Sequence, residues 1–311
     1  MGKFLFADRK KTVLRWVSAS VGQKERVLEI PKTVTEIGEN AFCLCEKAES
    51  VILPPGVRCI GKAAFQNCPA LQTVELPDSL TEIGEDAFKN CAALTSITLP
   101  DAVRRVDAGA FYQCRSLTAV TLSDSLTEIG NATFSGCSGL SSVEIPPSVT
   151  RIGAYAFCDC TSLTSVALPP SLTRIGSNAF WNCTSLTSIA IPKTVQSVGQ
   201  YAFDHSAAMV EEGGVFYVDK WVVGCKKTKS SVTLRADTRG IADGAFLGCS
   251  KLSSMQMPLA LTHVGDRALE GCTALTSVTL LNKNCTLGER ALPEGCTIIW
   301  AVDSVGKIGT A

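Results

Sequence analysis

The chain has 311 residues, with 29 Lys and Arg balanced by 29 Asp and Glu. This balance gives no reason to expect a nucleic acid or an anionic membrane as partner, and no apolar run reaches the roughly 18 residues of a membrane span. The 15 cysteines would indicate disulfides if the chain were a small secreted domain. Whether disulfides are expected here depends on where the cysteines lie in the chain.

The first predicted element is a β-hairpin at the N-terminus. Two β-rich arms, residues 4–7 and 12–17, flank a polar turn at 8–11. The sequence RVLEIP at 26–31 follows as the first strand of a repeat. We expect residues 1–25 to cap one end of the repeat array. The N-terminus shows no apolar signal peptide, which predicts a cytoplasmic protein if the chain is complete.

A phenylalanine recurs every 23 residues, eight times in succession. These residues are Phe42, Phe65, Phe88, Phe111, Phe134, Phe157, Phe180 and Phe203. A fixed period of this length indicates a stack of identical units, each with an apolar side that only its neighbours can bury. The sequence therefore predicts one continuous solenoid over residues 26–292, and not two globular domains.

Each unit carries the same companions of its phenylalanine. Cysteine stands three residues later, as in Cys160, and leucine six residues later, as in Leu163. The segment LTSVALP then reads as a short strand, with Val166 and Leu168 on its inner face and a proline at its end. A glycine turn and the NAFxxC stretch, which suits a tight helical turn, complete the unit.

The repeat is interrupted once. Phe203 and Phe246 are 43 residues apart, an excess of 20 over the period, and the register then resumes. The insertion, at about 209–228, contains GGVFYVDKWVVGC, which predicts a β-hairpin around Asp219 and Lys220. Residues 293–311 form the predicted C-terminal cap or tail.

The periodic cysteines are predicted to be reduced, buried thiols that fill one turn of each unit. Neighbouring thiols should run parallel to one another, and disulfide geometry requires them to converge. The pairs Cys43/Cys45 and Cys158/Cys160 are a weak metal signal without ligand-spaced histidines. We therefore predict neither a metal nor a cofactor.

The full pattern of Phe, Cys, Leu, Pro and Ile-Gly positions over residues 26–292 resembles the BspA-type (Treponema pallidum-type) leucine-rich repeats. Such repeats are found in surface proteins of gut and oral bacteria. The resemblance implies a right-handed leucine-rich-repeat solenoid of short parallel strands that binds proteins, such as host extracellular matrix or another cell-surface protein. It also implies a secreted or cell-surface location, although no export signal is visible in the chain.

The first candidate binding surface is the outward side of the strands. Its side chains are short and rich in hydroxyls, so a partner can approach closely, although such residues are also tolerated on any solvated sheet face. The predicted contact residues are Thr73, Glu75, Ser96, Thr98, Thr121, Ser142, Glu144 and Ser165.

The second candidate is the inserted hairpin, whose Phe216, Tyr217 and Trp221 resemble the aromatic anchors of interfaces. The alternative is that these aromatic side chains pack onto the solenoid. A row of Asp78, Asp101 and Asp124 could hold calcium, but aspartate also suits the turn that each one occupies.

Catalysis has little support in the sequence. His205 and His263 are the two histidines, and they belong to different units. A cysteine hydrolase would need an exposed, activated thiol beside a histidine. The sequence favours a non-catalytic binding scaffold, with a structural spacer in a larger surface protein as the alternative and a cysteine hydrolase as a remote one.

Overall fold

The computed structural model of the chain describes residues 4–17 and 25–300, in which the backbone winds as a solenoid of short strands and turns. The other residues of the two predicted caps, 1–3, 18–24 and 301–311, lie outside the described residues. Most coils contribute one strand to each of two sides of the solenoid, although residues 188–190 form no strand, and the solenoid expected from the 23-residue period is confirmed.

The longer strand of each coil forms what we call the strand face. These strands are β3 (Val27–Glu29), β5 (Ser50–Ile52), β7 (Thr73–Glu75), β9 (Ser96–Thr98), β11 (Ala119–Thr121), β13 (Ser142–Glu144), β15 (Ser165–Ala167), β21 (Ser231–Thr233), β23 (Ser254–Gln256), β25 (Ser277–Leu280) and β27 (Thr297–Trp300). Within the described residues they form four separate parallel ladders, β3-β5-β7, β9-β11, β13-β15 and β21-β23-β25-β27. Partners are 23 residues apart, as in Ser142 with Ser165, except that β27 follows β25 by 20 residues.

A two-residue strand lies on the other side of each coil. These strands are β4 (Glu36–Ile37), β6 (Cys59–Ile60), β8 (Glu82–Ile83), β10 (Arg105–Val106), β12 (Glu128–Ile129), β14 (Arg151–Ile152), β16 (Arg174–Ile175), β17 (Ser197–Val198), β22 (Gly240–Ile241), β24 (His263–Val264) and β26 (Thr286–Leu287). Their second residue points inward and is buried, with Leu287 of β26 as the exception.

The phenylalanine rings form the centre of the core. From Phe42 to Phe203, neighbouring ring centroids are 4.6–5.6 Å apart and the rings are within 13° of parallel. Each of these rings is at most 1% exposed. Equivalent side chains of successive coils therefore lie directly over one another, which is what a strict period requires.

The turn around each phenylalanine differs from the expected helical turn. Two residues of each coil, two before and two after the phenylalanine, have left-handed backbone angles, as in Asn178 (φ 55°) and Asn182 (φ 58°). A right-handed helix cannot continue through such residues. The segment is consequently a series of β-turns, in which Cys183 donates its N–H to the carbonyl of Phe180.

The N-terminal hairpin closes one end of the stack. Strands β1 (Phe4–Phe6) and β2 (Val13–Val17) are antiparallel, and β2 then pairs in parallel with β4. The carboxylate of Asp8 accepts N–H bonds from Thr12 and Val13 and fixes the turn between them. At the other end β27 pairs with β25 and continues the strand face.

The insertion also forms strands, namely β18 (Val210–Glu212), β19 (Val215–Val218) and β20 (Trp221–Cys225). The hairpin β19–β20 was predicted, but its connection was not. Strand β20 pairs in parallel with β22, so it occupies the place of a two-residue strand in the stack. We call residues 204–245, between Phe203 and Phe246, the seam, and residues 26–203 the regular stack.

Candidate functional site

The strand face presents two rows of outward side chains in register. In β7, β9 and β13 the middle residue is buried and its two neighbours are exposed. This alternation follows from the period of two in a strand. It brings eight of the predicted contact residues to one exposed surface, and these are Thr73, Glu75, Ser96, Thr98, Thr121, Ser142, Glu144 and Ser165.

Most hydroxyls of these rows are not engaged within the protein. Thr73 donates to the hydroxyl of Ser50 at 3.1 Å. In the described parts of the chain, the hydroxyls of Ser96, Thr121 and Ser142 have no protein partner. By contrast, Thr118 and Thr164, one position before the strand, each donate to a carbonyl of the preceding coil. One position thus holds the coils together, and the adjacent one is left for solvent or a ligand.

Five exposed carboxylates lie along the same face, and these are Glu75, Asp78, Asp101, Asp124 and Glu144. Within residues 4–17 and 25–300 none of the five forms an ion pair. Three of them border a groove of about 340 Å³ at the proline ends of the strands, which Thr121 and Leu122 also line. The groove gives this part of the face a concave, acidic surface.

The aspartate row does not form a calcium site. Over the described ranges, no three His, Cys, Asp or Glu side chains come close enough together to hold a metal ion. Successive aspartates are one coil apart and exposed to solvent, and no further carboxylate joins them to complete a set of ligands.

Two apolar residues of the face were missed by the sequence reasoning. Val27 is 51% exposed and Ile52 is 40% exposed, on neighbouring strands at the N-terminal end of the face. Both occupy outward positions, because the repeat aligns Val27 with Ser50 and Ile52 with Glu75. The register of the repeat carried this information, but the outward positions were predicted only from Thr73 onward.

The inserted hairpin does not present its aromatic residues as predicted. Trp221 is 1% exposed and Tyr217 is 2% exposed, so both belong to the core, and only Phe216 remains half-buried. The indole of Trp221 lies where a side chain at residue 240 would be, and Gly240 leaves that space open. The guanidinium of Arg235 covers the ring of Tyr217 at 4.1 Å. The prediction that Tyr217 and Trp221 are surface anchors was therefore wrong.

Polar side chains connect the hairpin to the regular stack. The carboxylate of Asp219 accepts the N–H of Ile191 at 3.0 Å, and Arg239 donates to the carbonyl of Ile191 at 2.7 Å. The carboxylate and the guanidinium are 4.0 Å apart and mostly buried. These contacts supply hydrogen bonds that a neighbouring strand provides elsewhere.

The periodic cysteines, which we call the ladder cysteines, form a specific hydrogen bond in addition to filling space in the core. Seven thiols donate to the carbonyl of the phenylalanine 26 residues earlier, at 3.1–3.2 Å, and these belong to Cys68, Cys91, Cys114, Cys137, Cys160, Cys183 and Cys272. Burial raises the pKa of Cys183 to about 12 and raises those of Cys114 and Cys137 strongly. Such thiols are poor nucleophiles.

The histidines take up other partners. The ring of His205 meets the edge of Trp181, and Nδ1 of His263 is 2.8 Å from the hydroxyl of Thr262. In the described part of the chain no thiol–imidazole pair is formed. The cysteine-hydrolase alternative therefore lacks the geometry that it would require.

A family model for the BspA type leucine rich repeat region (6 copies) matches residues 24–139, 81–210 and 223–303. The fold and the strand face define a leucine-rich-repeat solenoid. The chain belongs to the BspA-type leucine-rich-repeat family, as its repeat pattern indicated.

Two solved structures are similar to this chain. A leucine-rich repeat protein from Bacteroides ovatus shares 26% identity with it, over 97% of this chain and 82% of that chain, with a TM-score of 0.60. The T. pallidum leucine-rich repeat protein shares 29% identity, over 59% of this chain and 88% of that chain, with a TM-score of 0.54. No curated protein matches the chain. In residues 4–17 and 25–300 there is also no helix of the length and hydrophobicity that crossing a bilayer requires.

Proposed function

We propose that the chain is a non-catalytic protein-binding scaffold that attaches to a protein of the extracellular matrix or of another cell through its strand face. The observation that carries this proposal is the alignment of exposed hydroxyls without protein partners in successive coils. Side chains that serve only the fold, such as Thr118 and Thr164, are bonded to the preceding coil. The outward rows are free for an external ligand.

The charge of the face indicates the chemistry of the partner. Five carboxylates without ion pairs along β7 to β13 and the following turns give a surface that complements lysine and arginine side chains. The short hydroxyl side chains between them leave room for a flat or extended segment to come close to the backbone. We therefore expect a partner that presents a basic surface.

The inserted hairpin has a smaller role in this proposal than its composition indicated. With Tyr217 and Trp221 in the core, Phe216 is the one aromatic residue of the three that can contact a ligand. Removing the hairpin would open the core, so a deletion of residues 209–228 would not separate binding from folding.

A charge-reversal pair tests the proposal. The variant with Asp101→Lys and Asp124→Lys reverses two charges of the acidic groove. The matched control, Glu39→Lys with Glu46→Lys, makes the same change in net charge on two exposed residues on either side of Phe42. Binding to immobilised matrix proteins and to whole cells would be measured at several salt concentrations. We expect the groove variant to lose roughly tenfold or more in affinity and the control to retain it.

Equal loss in both variants would show that net charge, and not the strand face, determines binding. If the unmodified chain binds no matrix protein or cell, the spacer alternative becomes the better description. Circular dichroism of both variants, compared with the parent chain, verifies that the solenoid is intact.

A further inference from the structure

Two tyrosines occupy left-handed positions in the turns of the regular stack. Tyr155 and Tyr201 stand two residues before Phe157 and Phe203, and each has a φ of 58°. In the other phenylalanine coils of the regular stack this position holds Asn40, Ala63, Asp86, Gly109, Ala132 and Asn178. A left-handed angle suits glycine and asparagine and is unfavourable for a bulky side chain. The needs of the turn therefore do not explain a tyrosine at either position, and such residues are often found where a protein binds a ligand.

The rings of both tyrosines reach the solvent. Tyr155 is 48% exposed and Tyr201 is 49% exposed. Their coils are two steps apart, and each step, from Phe157 to Phe180 and from Phe180 to Phe203, is 5.4 Å in the ring stack. Because these coils repeat in register, the two tyrosine side chains leave the solenoid at equivalent points.

Trp181 belongs to the coil between the two tyrosines. A Cβ added at Gly109 would lie 3.9 Å from the Cβ of Tyr112, so the residues two before and one after a phenylalanine are neighbours. Trp181 therefore lies beside Asn178, in the interval between the tyrosines, and it is partly exposed. What we call the aromatic strip consists of Tyr155, Trp181 and Tyr201.

The polar groups beside the aromatic strip are amides and carboxylates. The turn residues that flank the three phenylalanines, at 154–155, 158–159, 177–178, 181–182, 200–201 and 204–205, include no lysine or arginine. In the described part of the chain, the side-chain amides of Asn178 and Gln200 have no hydrogen-bond partner, while Asn182 donates to the carboxylate of Asp159 at 2.8 Å. A surface without cations does not complement an acidic partner, and its one carboxylate–amide pair is already satisfied. Its composition complements an uncharged ligand that has hydroxyl groups and apolar C–H faces.

We propose that the aromatic strip binds an uncharged, ribbon-shaped polysaccharide of β-linked hexoses. A sugar ring packs its C–H face on an aromatic ring, and its hydroxyls exchange hydrogen bonds with amides. In such a ribbon each sugar is turned over relative to the one before it, so every second sugar presents the same face. The two tyrosines match this alternation, because they are two coils apart, close to the length of two sugars. The strip and the strand face share no residue, so this proposal is independent of the proposed function.

Isothermal titration calorimetry of the full-length protein tests the proposal. The probes are cellohexaose and mannohexaose, which are β-linked and extended, maltohexaose, which is α-linked and curved, and the disaccharide cellobiose. We expect at least one β-linked hexasaccharide to bind, and cellobiose to bind at least about tenfold more weakly because it is too short to contact both tyrosines. Failure of both β-linked hexasaccharides to bind, or binding of maltohexaose with equal affinity, would overturn the proposal.

A double variant separates ligand binding from folding. Tyr155→Asn with Tyr201→Asn installs the residue that Asn178 already supplies at this left-handed position, so the thermal stability should be kept or raised. Its affinity for the hexasaccharide should fall by about tenfold or more. The matched control is Tyr112→Asn, which removes a ring that lies outside the strip, 5.4 Å from the ammonium of Lys89. This control should bind the hexasaccharide as the parent chain does.

Undiminished binding by the double variant, or an equal loss in Tyr112→Asn, would contradict the assignment of the strip. The groove variant with Asp101→Lys and Asp124→Lys should bind the hexasaccharide normally, which distinguishes this site from the strand face. If the double variant loses binding to matrix proteins or cells, and the parent chain binds no oligosaccharide, the strip contacts a protein and the proposal is wrong.

Discussion

The regular stack and the seam solve the same packing problem in different ways. In the regular stack, the phenylalanine rings and the thiols at the repeat position from Cys68 to Cys183 meet their partners by translation from one coil to the next, as in the ring pair Phe134–Phe157 at 5.6 Å. In the seam, side chains such as Asp219 and Arg239 replace these contacts one by one. In a repeat, one set of contacts serves every coil, whereas an insertion needs a set of its own.

The distribution of unpaired polar atoms makes this difference visible. In the described chain, four buried side-chain atoms have no hydrogen-bond partner, and all belong to the seam: Ser206 Oγ, Trp221 Nε1, Thr238 Oγ1 and Arg239 Nε. An unsatisfied buried polar group destabilises a fold by roughly 1–3 kcal/mol. We therefore expect that substitutions in the seam can raise the free energy of unfolding more than substitutions in the regular stack.

The largest expected difference concerns the phenylalanine rings. Phe134 is packed between two parallel rings, at 5.4 and 5.6 Å, whereas the ring stack of the described residues ends at Phe203 and Phe246 lies beyond it. Phe134→Ala should lower the free energy of unfolding by about 3–5 kcal/mol, and Phe246→Ala by roughly 1 kcal/mol less. Urea unfolding of both variants measures this. A greater loss at Phe246 would show that ring stacking does not set the difference.

A second test concerns the side-chain contacts that hold the seam. Asp219→Ala removes the acceptor of the Ile191 amide and should cost about 2 kcal/mol. Asp237 forms an exposed ion pair with Lys220 at 3.7 Å, so Asp237→Ala should cost less than about 0.5 kcal/mol. Thermal unfolding of the two variants compares a carboxylate that accepts a backbone hydrogen bond with one that forms only an exposed ion pair. Similar losses would mean that Asp219 does not anchor the hairpin.

A third test predicts effects of opposite sign at one ladder position. Cys183→Ala in the regular stack removes the bond to the carbonyl of Phe157 and should destabilise the fold by about 1 kcal/mol. Ser206, the equivalent residue in the seam, has no partner for its hydroxyl, so Ser206→Ala should stabilise the fold by about 1 kcal/mol. Chemical denaturation measures the change in the free energy of unfolding for each variant. If both variants are destabilised, the hydroxyl of Ser206 must have a partner such as an ordered water.

The smallest expected effect lies in the turns. Ala132 has a left-handed backbone angle of 52°, which costs alanine about 1 kcal/mol more than glycine, so Ala132→Gly should stabilise the fold slightly. Ala156 is buried without such an angle, and Ala156→Gly should destabilise the fold by about 1 kcal/mol. Differential scanning calorimetry of the pair gives the sign of each change. A loss at Ala132 would indicate that the turn is not left-handed there.

Most of the regular stack could be predicted from the sequence, because the same residue pattern recurs in every coil and each copy supports the same assignment. The Phe and Cys positions, the strand at Ser165–Ala167 and the outward placement of Ser142 and Glu144 all follow from the period. The backbone conformation of the turn around each phenylalanine was harder to predict. Asn, Asp and Gly recur two residues after the phenylalanines, as in Asn67, Asp159 and Gly136, and that pattern indicates left-handed backbone and not a helical turn.

The insertion was harder to predict because it occurs once and has no second copy to compare. Its hairpin was placed correctly from its turn residues, but the burial of Tyr217 and Trp221 was not. A usable signal was present, since the arms VFYV and WVVGC are almost continuously apolar. Such runs are typical of strands buried on both faces. The open space above Gly240 that receives the indole depends on the three-dimensional register of β20 with β22.

The central claim is that the hairpin is an integral strand of the stack and not a surface arm. Hydrogen–deuterium exchange of the full-length protein, followed on peptides that cover β19–β20 and β15–β16, tests it directly. The claim predicts that amides of Val215–Val218 and Trp221–Cys225 exchange as slowly as those of the regular stack, because β20 pairs with β19 and with β22. Fast exchange of these amides, with the regular stack still protected, would contradict it.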